Sequence, residues 1–128
     1  MFTIAIVGHS FGGPLTLPDI ERDSRVRAAV TFAAAANSWA RSPELRGCLF
    51  AAAKNAKMPM MLIQAANDYD TTPGRELGAE LERLHKPHVL KIYPPVGKTS
   101  DEGHNIVYNS ISLWEGEVFE FLDNNVRR

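Results

Sequence analysis

A parallel α/β fold is the class this sequence predicts, and three observations predict it. Four short apolar runs of strand length alternate with segments of helical pattern. The first run, Phe2-Thr3-Ile4-Ala5-Ile6-Val7, is apolar on both faces, as a strand covered on both sides of a sheet must be. It leads straight into Gly8-His9-Ser10-Phe11-Gly12-Gly13. A serine hydroxyl presented on a tight strand-to-helix turn needs small neighbours, because a Cβ would block the close backbone approaches of that turn.

The remaining elements follow in order. Pro14 and Pro18 restrict any helix after the turn to a short piece. The charged stretch from Asp19 to Arg27 reads as a solvated connection. Ala28 to Ala33, with Val30, Thr31 and Phe32, is the second strand, although its alanines leave helix open, and Asn37 to Arg41 is a loop. Ser42-Pro43 is a cap followed by a first-turn proline, and Leu45, Leu49, Ala52 and Ala56 then recur on one helical face up to Met58-Pro59. Met60 to Ala65 is the third strand. Thr72-Pro73 opens a helix carrying Leu77, Leu81 and Leu84, which Pro87 stops. Val89 to Tyr93 is the fourth strand and Pro94 to Asn105 a long loop. Ile111, Trp114, Val118, Phe121 and Leu122 form the inner face of a last helix.

Size and charge bound the function. A chain of 128 residues suits one domain with a real core. Its 14 lysines and arginines stand against 15 aspartates and glutamates with no block of like charge, which argues against nucleic acid or an anionic membrane as partner. The lone Cys48 cannot form an internal bridge and, among Leu45, Leu49 and Phe50, reads as a packing residue. No apolar stretch reaches the roughly 20 residues of a membrane span, and no basic-then-apolar leader stands at the start. The expected location is cytoplasmic and the expected substrate a small neutral molecule.

Ligand sites in open α/β sheets lie beyond the carboxyl ends of the strands, and Ser10, Asp68 with Asp70, and His104 each follow the end of a predicted strand. A serine needs a base to take its proton, and the base needs a third group to hold its tautomer. The chain order serine, acid, histidine is the one that the hydrolase type of nucleophile elbow uses. Asp70 is a rival to Asp68 for the acid. His9 reads as packing or as lining the pocket, and Trp39 as an aromatic wall for substrate, with plain packing an equal alternative for Trp39. His85 and His88 read as solvated, and Met58, Met60, Met61 and Trp114 as core. Asp68, Asp70, His85 and His88 lack a metal-ligand spacing, so neither a metal nor a cofactor is expected.

GHSFGG, MPMMLIQAANDYDTTP and KIYPPVGKTSDEGHNI together resemble the C-terminal half of an α/β-hydrolase, nearest the dienelactone hydrolase-like small esterases. The resemblance implies a single truncated domain over residues 1–128, with about four mostly parallel strands and helices on both faces. It implies Ser10 as nucleophile, Asp68 as acid, His104 as base after Gly103, and the Phe11 backbone N–H as oxyanion donor. Serine in place of that group's cysteine implies a carboxylesterase acting on short-chain esters. The family's strands ahead of the nucleophile strand have no counterpart here, and with them goes the loop that supplies a second oxyanion donor. Two expectations follow: a non-catalytic or partner-dependent module as the alternative reading, and a homodimer that covers the first strand, since exposed apolar edges recruit other chains.

Overall fold

The computed structural model describes residues 3–10 and 23–126. Phe11, Gly12, Gly13, Pro14 and Pro18 lie outside them, as do the first residues of the charged connection. Four strands, β1 (Ile4–His9), β2 (Val26–Phe32), β3 (Met60–Ala65) and β4 (His88–Tyr93), form one sheet in the order β1-β2-β3-β4. All three pairings are parallel, with Gly8 beside Thr31, Val30 beside Met61, and Met61 beside Val89. Parallel neighbours demand crossovers on the sheet faces. Between β2 and β3 this is α1 (Pro43–Asn55) after a 3-10 turn at Trp39–Arg41, and between β3 and β4 it is α2 (Thr72–Arg83), while most of the β1-to-β2 connection lies outside the described residues. Then α3 (Ser100–His104), α4 (Ile106–Asn109) and α5 (Ile111–Val126) complete the chain.

The period of two along the strands divides the core into two layers. Ala29, Met60 and Leu62 meet Leu49, Ala52 and Ala53 of α1 and Leu77 and Leu81 of α2. Ala28, Val30, Phe32, Met61, Ile63 and Ala65 meet Val118 and Phe121 of α5. Every residue of β3 is buried, which is why its sequence shows no alternation. The edge strand β1 is only half-covered, and Val7 stands 53 % exposed.

Local chemistry sets the helix ends. The Ser42 hydroxyl accepts the Leu45 N–H at 3.2 Å, the cap that Ser42-Pro43 predicts. The helix ends at Asn55, and Ala56 is already extended, three residues ahead of Pro59.

Four expectations are corrected. Part of the expected loop from Pro94 to Asn105 is helical, because Thr99 and Glu102 form a capping pair: the Thr99 hydroxyl accepts the Glu102 N–H and donates to its carboxylate, both at 3.1 Å. Cys48 is exposed rather than core, one helical step off the buried Leu49. Ile111, in the first turn of α5, is 50 % exposed, so the inner face of that helix begins at Trp114. Trp39, expected as a wall for substrate, is 3 % exposed and packs edge-on against Phe50 in the α1 layer. Ala35, which follows β2, joins the same layer.

Candidate active site

Ser10 follows β1 directly, and its backbone N–H still bonds the Phe32 carbonyl at 2.8 Å, so the sheet ladder holds its position. Its φ of 54° lies in the left-handed region, which side chains with a Cβ rarely occupy. Such strain persists only where surrounding structure enforces it, and it clusters at functional sites. Here it turns the hydroxyl toward the rim. Ser10 Oγ lies 2.7 Å from His104 Nε2, across 94 residues of sequence.

His104 closes α3 and is buried. Its Nδ1–H donates to Asp68 Oδ1 at 2.8 Å, leaving Nε2 to accept from the serine. The Asp68 carboxylate is fully enclosed. Oδ1 also accepts the Tyr69 N–H at 2.7 Å, and Oδ2 accepts from Gln64 Nε2 at 3.0 Å. A buried carboxylate requires such donors. Asp70, the rival acid, points elsewhere: its Oδ1 accepts the N–H of Thr72, the first residue of α2, at 2.8 Å.

Two further contacts hold the histidine. His9 is half-buried and donates from Nε2 to the His104 carbonyl at 2.9 Å, with the two rings 5.4 Å apart. Strand β1 runs two residues past its expected end and carries His9 at its last position. Asn67 ties the acid turn to the histidine loop, donating to the Val96 and Thr99 carbonyls and accepting the Val96 N–H at 2.8 to 2.9 Å. Tyr69 packs its ring 5.3 Å from that of His104 and donates to Asp101 at 3.1 Å. Desolvation, and then that hydrogen bond, raise its phenol above the usual range, so it remains a donor at neutral pH.

The sequence reading overlooked Gln64 and Asn67. The signal for Gln64 was available: one amide inside the otherwise apolar run Met60-Met61-Leu62-Ile63-Gln64-Ala65. A buried polar side chain in such a run must find partners. Asn67 carries no comparable signal, because an asparagine in a turn is ordinary. Phe11, the expected oxyanion donor, is outside the described residues. Among the described residues no cluster of His, Cys, Asp or Glu has the makings of a metal site, and no helix is long and apolar enough to cross a membrane. A cavity of about 430 Å³ lies at the other end of the sheet, bounded by Pro59, His88 and Asn125, away from Ser10.

No family model and no curated protein matches the sequence. Solved structures do match. The chain is similar to Pyrococcus horikoshii acylaminoacyl peptidase with a TM-score of 0.73 at 19 % identity, over 98 % of this chain and 24 % of that one. It is similar to an esterase of Pyrococcus furiosus with a TM-score of 0.69 at 16 % identity, over 97 % of this chain and 54 % of the esterase. Porphyromonas gingivalis dipeptidyl peptidase 4 matches at 0.70 and 19 % identity, over 95 % of this chain and 19 % of that one. The chain has the α/β-hydrolase fold, as the GHSFGG and GHN motifs predict. By name these structures are two peptidases and an esterase, and the chain spans between about a fifth and a half of their lengths.

Proposed function

We propose that this chain carries the reaction centre of a serine hydrolase that cleaves short-chain carboxylic esters. One observation supports the reading above all: an unbroken row of hydrogen bonds from the Ser10 hydroxyl through the His104 imidazole to the enclosed Asp68 carboxylate. His104 Nε2 takes the serine proton as Oγ attacks the ester carbonyl, and the His104–Asp68 bond offsets the charge that forms on the ring. The imidazolium then protonates the leaving alkoxide, and Ser10 is left acylated. Water, deprotonated at the same nitrogen, releases the acid and restores the hydroxyl. The Phe11 N–H, as the residue after the nucleophile, is assigned to the developing oxyanion.

A fluorophosphonate titration tests this reading. Stoichiometric modification of Ser10, lost in Ser10→Ala, is expected, together with hydrolysis of p-nitrophenyl butyrate. An inert Ser10 in the folded chain overturns it. Comparing p-nitrophenyl esters with p-nitroanilides separates esterase from peptidase, which two of the structural relatives make the competing activity.

A second reading is a partner-dependent module, favoured by the half-covered β1 edge. Under it Ser10 reacts only once a second polypeptide is added. We also infer that two copies associate about a two-fold axis over β1, where Val7 is exposed.

A further inference from the structure

We propose that Gln64 is a positioning residue for the reaction, setting the Asp68 carboxylate so that Oδ1 faces His104; this rests on the serine hydrolase reading. A carboxylate turns readily about its last torsion, which is broad and roughly two-fold. What stops it is a donor on each oxygen. Oδ1 has His104 Nδ1–H and the Tyr69 N–H, and Oδ2 has Gln64 Nε2–H. Gln64 is 2 % exposed, so no water substitutes easily for its amide.

The amide is itself held at every polar atom. Its second Nε2–H goes to the Asp70 carbonyl at 2.7 Å, and Oε1 accepts the Gly74 N–H at 3.0 Å. One side chain therefore joins β3, the acid turn and the first turn of α2. Position 74 admits this only as glycine, since a Cβ there would stand 2.6 Å from Gln64 Oε1. The Oε1 contact also settles the amide orientation, because only an oxygen can accept from Gly74 N–H while the nitrogen faces the carboxylate.

The experiment uses two routes to the same contact. Gln64→Met removes the donor at nearly equal length, and Gly74→Ala displaces the amide from outside while favouring the helix. Each is expected to lower kcat for p-nitrophenyl butyrate about 10- to 100-fold, by analogy with the loss of an outer hydrogen-bond partner of a metal-bound histidine or carboxylate, with KM within about two-fold because a positioning residue acts on the reaction step. The double variant is expected to lose no more than Gln64→Met alone, because both act through one amide. The far-downfield proton resonance of His104 Nδ1 is expected to move upfield in every variant. That signal needs no turnover, so an inert Ser10 in the parent sinks the hydrolase reading without deciding this one. If the resonance stays in place in Gly74→Ala and in folded Gln64→Met, Gln64 does not position Asp68 and the proposal fails. Additive losses in the double variant overturn it equally.

Discussion

Gly103 lies so close to Asn67 that a Cβ at position 103 would stand 2.5 Å from its Oδ1 and 2.9 Å from its backbone carbonyl carbon. The contact brings the turn that carries Asp68 against the helix that carries His104, and Asn67 hydrogen bonds to both ends of the Val96 to Thr99 loop secure it. A glycine ahead of the histidine is thus a spacing requirement. Gly103→Ala should separate the two loops and reduce ester hydrolysis at least about ten-fold, as misplacement of about 1 Å can cost 10². Kinetics on p-nitrophenyl butyrate beside a thermal melt will check it, and undiminished kcat in a folded variant contradicts it.

Ser10, the proposed nucleophile, sits on strained backbone with φ 54°. Left-handed backbone costs a residue with a Cβ roughly 1–2 kcal/mol, and glycine escapes that cost while adding freedom to the unfolded chain. Ser10→Gly should therefore leave stability unchanged or raise it by up to about 1 kcal/mol. Activity should fall by about 10⁶, as for loss of a triad serine. Urea denaturation paired with an esterase assay reads both, and a clear loss of stability would contradict the strain assigned to φ.

Asp68 and Asp70 sit two residues apart with different partners, so their variants should separate. Asp68→Asn should lower kcat by about 10⁴, the loss seen when a triad carboxylate becomes an amide. Asp70→Ala removes a hydrogen bond to the Thr72 N–H worth about 0.5–1.5 kcal/mol and should lower the melting temperature while altering kcat only a few-fold. Exchanged outcomes would make Asp70 the acid.

The half-covered β1 predicts the oligomeric state. Light scattering across micromolar concentrations should report a dimer, and Val7→Lys should shift it toward monomer, since a charge on an edge strand discourages pairing. A parent that stays monomeric removes the two-fold association.

Glu117 gives a pH test remote from Ser10. Its carboxylate accepts from Lys91 Nζ at 2.6 Å and from the Tyr93 hydroxyl at 2.9 Å, and these bonds, that of Lys91 first, hold it below the usual carboxylate range. A lowered folded value means that its stabilisation is complete above the ordinary carboxylate pKa and disappears as pH falls through the folded one. Both charged ends are about two-fifths exposed, so the contribution is small. Glu117→Gln should melt slightly below the parent at pH 7 and level with it once the parent's own carboxylate is protonated. A difference that persists in strong acid would have another source.

Much of this was legible from residues alone. Strand β3 was bounded to the residue because an apolar run between Pro59 and a polar turn has only one extended reading, and Ser42-Pro43 marked the start of α1 because capping is local chemistry. Chain order and loop placement singled out Ser10, Asp68 or Asp70, and His104 as neighbours on one rim. Helix α3 escaped because its signal, Thr99 with Glu102, lies in a stretch rich in turn formers.

The sequence by itself determined the alternation of strands and helices and singled out the three distant side chains, since periodicity and caps depend on near neighbours. Only the tertiary structure decided that Asp68 rather than Asp70 faces His104, that Trp39 is buried against Phe50, that His9 meets the His104 carbonyl, and that Gln64 and Asn67 hold the acid turn in place. Those outcomes turn on which buried donor meets which acceptor, and donors that are dozens of residues apart in the chain, or two residues apart in one turn, are ranked only when packing brings them to within 3 Å or so of each other.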